Sequence, residues 1–135
     1  VTGFGLFGRK VAEKLHALGA RVLVAARDPR ARQQARELGM EACDFSSLPC
    51  RAGETACLIN TVPFPVVERA LLQHLPPDCL LRALASAPYG IDRAAAQRMG
   101  MTVLALPGIP GSYAPQSAAR ALLSAVRRSV GGLQA

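Results

Sequence analysis

The chain opens with a glycine pattern that restricts its fold more than any other feature. Glycines at positions 3, 5 and 8 form G-x-G-x-x-G within the run Gly3-Phe4-Gly5-Leu6-Phe7-Gly8. In a strand–turn–helix unit, the first glycine permits a tight turn and the second lets a pyrophosphate approach the backbone. The third lets the helix pack close to the sheet, and the helix N-terminus offers N–H groups to phosphates. The pattern therefore predicts a dinucleotide site if a strand precedes it and a helix follows.

The residues around the glycines supply those elements. Positions 10–18 carry apolar residues at helical spacing and stop before Gly19, and the apolar run 21–26 is typical of a buried parallel strand. Only Val1 and Thr2 represent the strand that leads into the glycines. Since that strand is central in this fold, we expect a fragment with a truncated first strand and an absent upstream domain.

Strands and helices alternate along the rest of the chain, with an irregular segment over 44–53. The other predicted strands are 40–43, 55–59, 79–85 and 101–106, and the other predicted helices are 29–38, 65–75, 92–99 and 116–130. This order predicts an α/β fold, a Rossmann-type doubly wound parallel sheet of six strands, with 1–135 as one NAD(P)-binding domain. Arg82 fits a buried strand poorly, so we expect its strand to lie near an edge or to face a missing partner.

Composition excludes several classes of function. The net charge of +7 comes mostly from arginines that are scattered along the chain, and tryptophan is absent. We interpret this charge as a solvated surface with a few arginines for an anionic cofactor, and expect no nucleic-acid partner. The four cysteines form no C-x-x-C pair, so we expect reduced thiols, no metal and a cytoplasmic location. No apolar run reaches the ~18 residues of a membrane span.

The residues after the second strand indicate which dinucleotide is bound. Arg27 lies 19 residues after Gly8, where NAD-binding folds place an acidic residue for the ribose. A guanidinium there suits the 2′-phosphate of NADP, and Arg30 or Arg32 can add a second contact. A shift of one residue would instead make Asp28 the reader of an NAD ribose. We favour NADP and keep NAD as the alternative.

Polar residues also follow two later strands, at the sheet edge where open α/β sheets bind ligands. The run Asn60-Thr61-Val62-Pro63 is one candidate for contacts to cofactor ribose or substrate oxygens, although Asn60 alternatively caps the next helix. Ala85-Ser86 begins another such loop, and Pro110 lies in a loop rich in proline and glycine. Neither His16 nor His74 has an acidic neighbour to orient it, so no catalytic residue is identified.

Seven blocks in this order resemble the family of the dipicolinate synthase A subunit over nearly the whole chain. The most specific are Ile59-Asn60-Thr61-Val62-Pro63, Leu84-Ala85-Ser86-Ala87-Pro88 and Leu106-Pro107-Gly108-Ile109-Pro110-Gly111. The resemblance implies oxidation of a dihydrodipicolinate-type dicarboxylate to dipicolinate in forming spores, with NADP as hydride acceptor and a flavoprotein-like B subunit as partner. Two positions depart from the family pattern, since Ala83 replaces an acidic residue and Ser112 a basic one.

The resemblance also implies roles for individual residues. Gly3, Gly5 and Gly8 would hold the pyrophosphate, and Arg27 the 2′-phosphate. Asn60, Thr61 and Pro63 would flank the nicotinamide ribose, while Ser86 and the 108–111 loop would face the cleft. Two alternatives remain: an NAD-dependent 2-hydroxyacid-type dehydrogenase domain, and a dinucleotide-sensing module without turnover. A homo-oligomer is compatible with each of them.

Overall fold

A computed structural model describes residues 1–106 and the single positions Arg120 and Arg127. The helices are α1 (Leu6–Ala17), α2 (Pro29–Glu37), α3 (Leu48–Arg51), α4 (Arg69–Leu72) and α5 (Arg93–Arg98). The strands are β1 (Leu23–Ala25), β2 (Glu41–Cys43), β3 (Cys57–Asn60), β4 (Leu80–Ala83) and β5 (Val103–Ala105), with a 3₁₀ turn at Ala52–Glu54. The predicted 107–115 loop lies outside the described residues, and so does the predicted 116–130 helix except for Arg120 and Arg127, which are both helical.

All strand pairs are parallel, and Thr2 joins them into one sheet. β1 pairs with β2, and β3, β4 and β5 pair in that order. Thr2 bridges Ala25 on one side and Asn60 on the other. The sheet order is therefore β2–β1–Thr2–β3–β4–β5, which is the order of a Rossmann-type sheet with a shortened first strand. The predicted fold class is confirmed.

Helices cover both faces of the sheet, as the doubly wound prediction requires. One apolar cluster packs α1 and α2 on Val24, Ala26 and Ile59, and the other packs α3, α4 and α5 on Leu58 and Leu81. Each buried leucine or valine of these clusters contributes roughly 1.5–3 kcal/mol relative to its exposed form. No helix of the described part is both long enough and apolar enough to cross a membrane.

Three predicted boundaries were wrong. α1 begins at Leu6 rather than at position 10, because Gly5 already serves as its N-cap. The segment 44–53, predicted to be irregular, holds α3 and leads into the 3₁₀ turn at Ala52–Glu54. Only Arg69–Leu72 of the predicted 65–75 helix is helical.

The shorter α4 has a tertiary cause. The N–H groups of Val66 and Val67 both donate to the Gly90 carbonyl, at 3.1 Å and 3.0 Å, and Val67 forms a parallel bridge with Ile91. These bonds hold the segment extended until Glu68, which is the N-cap of α4. Asn60 therefore does not cap this helix.

The expectation for Arg82 was a strand near an edge of the sheet or one that faces a missing partner. In the described part β4 is not itself an edge strand but the neighbour of β5, the last strand of the sheet. β4 pairs on both sides, with Arg82 opposite Ile59 and Leu104. The Arg82 side chain is 8% exposed, and its Nη1 donates to the Leu81 carbonyl at 3.1 Å. Its Nε has no hydrogen-bond partner among the described residues. The pairing of β4 with β3 and β5 therefore sets its position in the sheet, and the Arg82 guanidinium is buried together with the strand.

Candidate cofactor-binding site

The glycine turn has the geometry that the motif predicts. Gly3 has a φ of +94°, a conformation that disfavours other residues, and its N–H donates to the Ala25 carbonyl at 2.8 Å. A Cβ at Gly3 would lie 2.6 Å from Thr61 Oγ1, and one at Gly8 would lie 2.6 Å from the Gly3 carbonyl oxygen. Gly8 therefore allows α1 to pack directly on the turn, so both positions require glycine.

Gly5 differs from Gly3 and Gly8 because the space that a Cβ would take is open. It is exposed, and a Cβ there would meet no atom within 4 Å. As the N-cap of α1 it offers no side-chain hydrogen bond to the helix, and the first turn has no acidic residue. The first N–H groups of α1 and the positive end of its dipole are thus open to an anion.

The other three residues of the motif are placed differently from one another. Phe4 is 9% exposed and packs in the cluster with α1, whereas Leu6 is 83% exposed. Phe7 is half-buried against the same cluster. The side chains of Phe4 and Phe7 thus contribute to the core, while the Leu6 side chain is exposed.

In the turn after β1, Arg27 and Asp28 have different environments. Asp28 is the N-cap of α2, and its Oδ1 accepts a hydrogen bond of 2.9 Å from the Arg30 N–H. Nη1 of Arg32 donates to the carbonyls of Ala26 and Arg27, at 2.8 Å and 2.7 Å, and so holds the turn in place. The side chains of Arg27 and Arg30 are exposed.

Asn60 is fully buried at the carboxyl end of β3 and makes four side-chain hydrogen bonds. Its Oδ1 accepts from the Thr2 hydroxyl at 2.7 Å and from the Val62 N–H at 3.1 Å. Its Nδ2 donates to the carbonyls of Val62 and Tyr89, both at 2.7 Å. All of its hydrogen-bonding capacity is used within the protein, so direct contact with a ligand is not available to this side chain.

The β3 loop, residues 61–65, presents a mixed surface to the same edge. The Thr61 hydroxyl donates to the Thr2 carbonyl at 2.9 Å, and Val62 is half-buried beside Gly3. Pro63 and Phe64 are exposed, and the Phe64 side chain keeps 64% of its surface. Thr61 thus closes the glycine turn, while Pro63 and Phe64 face outward.

The β4 loop, residues 86–90, lies against the β3 loop. Ser86 is exposed, and Ala85 before it is buried with its N–H directed to the Asn60 carbonyl at 3.3 Å. Tyr89 has a φ of 70°, and a Cβ at Gly90 would lie 2.5 Å from Asn60 Nδ2. Neither Tyr89 nor Gly90 is predicted from the sequence as a site residue. Their only sequence signal is a glycine after a proline-containing loop.

The remaining candidates lie elsewhere or have another role. Pro110 lies outside the described residues. Ala83, where the family pattern has an acidic residue, is fully buried in an apolar cluster. His16 lies beside the Gly39 turn, and His74 is exposed after α4. The structure thus unites the glycine turn with the β3 and β4 loops.

The cysteines and a cavity of the described part are separate from this site. All four cysteines are free, and burial raises the pKa of the Cys79 thiol to about 11. No group of potential metal ligands occurs in the described part. A cavity of about 390 Å³ lies at the opposite, amino-terminal end of the strands, between Val1, Leu48 and Cys57. Arg21 and Arg51 bind Glu41 at its mouth.

Comparison with known proteins identifies a relative that matches the whole chain. The A subunit of dipicolinate synthase from Bacillus subtilis (strain 168) is 31% identical to the chain over 135 residues, which is 100% of the chain. The resemblance thus extends over the whole of this chain. The resemblance inferred from the sequence is therefore confirmed, although no protein-family model matches. The chain spans 46% of the length of that relative.

Solved structures of the dipicolinate synthase A subunit share the fold. The Bacillus halodurans structure superposes with a TM-score of 0.79 at 35% identity, covering 94% of this chain and 44% of the other. The Bacillus subtilis structure gives a TM-score of 0.78 at 30% identity, covering 98% and 45%. Glutamyl-tRNA reductase from Methanopyrus kandleri, at 24% identity and a TM-score of 0.61, covers 97% and 34% and shares the fold alone. The chain thus has a Rossmann-type fold that it shares with dipicolinate synthase A subunits.

Proposed function

We propose that the chain is the NADP-binding domain of an oxidoreductase that resembles the dipicolinate synthase A subunit. The reaction would oxidise a dihydrodipicolinate-type dicarboxylate to dipicolinate. The observation that carries the proposal is the open N-terminus of α1 above Gly5, framed by Gly3 and Gly8, which need to be glycine for steric reasons. A helix N-terminus of this kind binds phosphates through its N–H groups and dipole.

In this proposal each part of the site serves one part of the cofactor. When bound, the nicotinamide ring supplies the hydride-accepting chemistry. The backbone of the glycine turn holds the pyrophosphate, and exposed groups of the β3 and β4 loops flank the nicotinamide ribose and the substrate. The cofactor-binding residues proposed are Gly3, Phe4, Gly5, Leu6, Phe7, Gly8, Arg27, Arg30, Asn60, Thr61, Val62, Pro63, Ala85, Ser86 and Pro110, with Asn60 acting through its neighbours.

The preference for NADP rests on the turn after β1. Arg27 is exposed directly after the buried strand end, where its guanidinium can reach a 2′-phosphate. Asp28 already accepts a hydrogen bond from the Arg30 N–H as the N-cap of α2. To bind the ribose of NAD, the same carboxylate would have to accept hydrogen bonds from the helix and from the ribose hydroxyls. Capping therefore favours NADP over the NAD alternative. Arg30 lies one turn away and is also exposed.

The proposal extends to partners by analogy with the relatives, which are named as one subunit of a synthase. A second, flavoprotein-like subunit and a homo-oligomer are both compatible with it, and the expected location is the cytoplasm. No catalytic acid or base is assigned within the described residues. The chain contributes cofactor binding and orientation to the reaction.

Titration of the purified chain with NADPH and then NADH tests the proposal. We expect tighter binding of NADPH, with the preference lost in R27D. The control is R98D, which makes the same charge change at an exposed arginine of α5, remote from the turn. If R98D loses the preference equally, net charge rather than a 2′-phosphate contact explains it. A folded chain that binds neither nucleotide would refute the proposal.

A further inference from the structure

The two loops beside the glycine turn are linked through a single side chain. Asn60 is the only asparagine of the chain, and it bonds Thr2, Val62 and Tyr89 at once. Val62 belongs to the β3 loop and Tyr89 to the β4 loop. Neither loop has another described side-chain bond to the other. We propose that Asn60 is a positioning residue that couples these loops around the nicotinamide half of the cofactor, an inference that rests on the function proposed above.

Only a carboxamide fits this place. It needs two acceptor sites for the Thr2 hydroxyl and the Val62 N–H, and two donors for the carbonyls of Val62 and Tyr89. An aspartate has the same shape, but one of its carboxylate oxygens would face those two carbonyl oxygens and could not donate a hydrogen bond to them. An apolar residue would leave the half-buried groups of Val62 and Tyr89 without these bonds, which is costly. The identity of residue 60 therefore helps to set the relative position of the two loops, together with the main-chain bonds from Val66 and Val67 to the Gly90 carbonyl.

The β4 loop adapts its backbone to this contact. Tyr89 adopts a φ of 70°, which is uncommon for a residue with a side chain, and its carbonyl then accepts from Asn60 at 2.7 Å. Gly90 lies where the two loops meet, since a Cβ there would overlap the Val62 carbonyl oxygen and would lie 2.5 Å from Asn60 Nδ2 and 2.7 Å from the Phe64 carbonyl. Loss of the carboxamide thus frees the carbonyls of Tyr89 and Val62, while the bonds from the Val66 and Val67 N–H groups to the Gly90 carbonyl remain.

The glycine turn does not depend on Asn60 in the same way. Main-chain bonds hold it, from the Thr2 N–H to the Ile59 carbonyl at 2.9 Å and from the Gly3 N–H to the Ala25 carbonyl at 2.8 Å. The turn that carries Arg27 is held by Arg32. A change at residue 60 should therefore disturb the nicotinamide half of the site and spare the half that binds the adenosine and its 2′-phosphate.

Binding of whole cofactor and half cofactor separates these two regions. Dissociation constants for NADPH and for 2′,5′-ADP, which lacks the nicotinamide half, are measured for wild type, N60D and G90A. We expect NADPH to bind about tenfold more weakly to both variants, while 2′,5′-ADP stays within about twofold of wild type. If N60D does not fold, G90A carries the same test from the other side of the contact.

The control for lost stability is L48A, which removes a buried side chain beside the cavity at the opposite end of the strands. We expect it to change neither constant at a temperature where the chain is folded. NADPH binding that is unchanged in folded N60D and G90A, or a parallel loss of both ligands, would overturn the inference. Failure of the wild-type chain to bind either ligand would instead refute the proposed function, and this inference with it.

Discussion

The Thr61 hydroxyl donates a hydrogen bond of 2.9 Å to the main-chain carbonyl of Thr2, the residue before the glycine turn. The same Oγ1 lies 2.6 Å and 2.7 Å from the places that a Cβ would take at Gly3 and Gly8. One side chain at the end of β3 therefore fills the space that both glycines leave. The packing of α1 on the sheet thus depends on a contact between residues 59 positions apart in the sequence.

Replacement of Gly8 should damage folding and binding together. In G8A the added Cβ would overlap the Gly3 carbonyl and Thr61 Oγ1, so α1 has to move away from the turn. Overpacking of this kind costs about 1–3 kcal/mol. We expect that loss in urea unfolding, together with weaker NADPH binding. G53A is the matched control, because Gly53 has open space around it; equal stability of the two variants would contradict the packing argument.

Replacement of Gly5 should separate folding from binding. Gly5 has open space and a φ of −67°, which any residue adopts, so G5A should cost no more than about 1 kcal/mol, the cost of a poorer N-cap residue. The new methyl group would occupy the approach to the N-terminus of α1, and we expect at least a roughly tenfold loss of NADPH affinity. Calorimetric titration and urea unfolding of the same sample measure both effects. Full affinity in G5A would mean that phosphate does not bind there.

Removal of the Asp28 carboxylate should affect stability and not cofactor preference. D28A loses the bond to the Arg30 N–H, and loss of an N-cap costs about 1 kcal/mol. D92A is the matched control, since Asp92 caps α5 through a bond of 2.9 Å to the Ala95 N–H. We expect similar shifts in melting temperature and an unchanged ratio of NADPH to NADH affinity in both. A ratio that changes in D28A alone would make Asp28 the ribose reader.

Acid should remove the contribution of the Asp44 carboxylate to the stability of the folded chain. Hydrogen bonds from the side chain of Ser46 and from Ser47 lower the pKa of Asp44 from 3.8 to about 2. Because the folded pKa is the lower one, the folded state binds fewer protons in this range. The stabilisation is therefore present above about pH 4 and lost as the pH falls towards about 2.

Thermal melts between about pH 2 and about pH 5 check this expectation. D44N removes the titrating group, so its melting temperature should fall less steeply with acid than that of wild type. D78N, at another exposed aspartate, serves as the control and should follow wild type. A D44N curve parallel to both would show that the Ser46 and Ser47 bonds do not contribute.

Much of the fold follows from local patterns in the sequence. The apolar run at 21–26 and the glycines at 3, 5 and 8 predict β1, α1 and the turn between them, because each depends on neighbours in the chain. Boundaries were less predictable where tertiary bonds intervene. The 65–75 segment has helical composition, yet the Gly90 carbonyl holds Val66 and Val67 extended.

Arg82 shows a second limit of local reasoning. A guanidinium in an apolar run favours an edge position, but strand pairing places β4 between β3 and β5. Pairing satisfies a whole row of backbone groups, and this outweighs the preference of one side chain. No pattern within residues 79–85 carries that information.

The sequence by itself determined the fold class, the family resemblance and the position of the glycine turn, since glycine spacing and periodicity are local properties. Only the tertiary structure decided the roles of the polar residues at the strand ends. Asn60 is buried with all its bonds made, Asp28 caps a helix, and Thr61 closes the glycine turn. Whether a polar side chain meets a ligand or the protein depends on which distant backbone groups surround it.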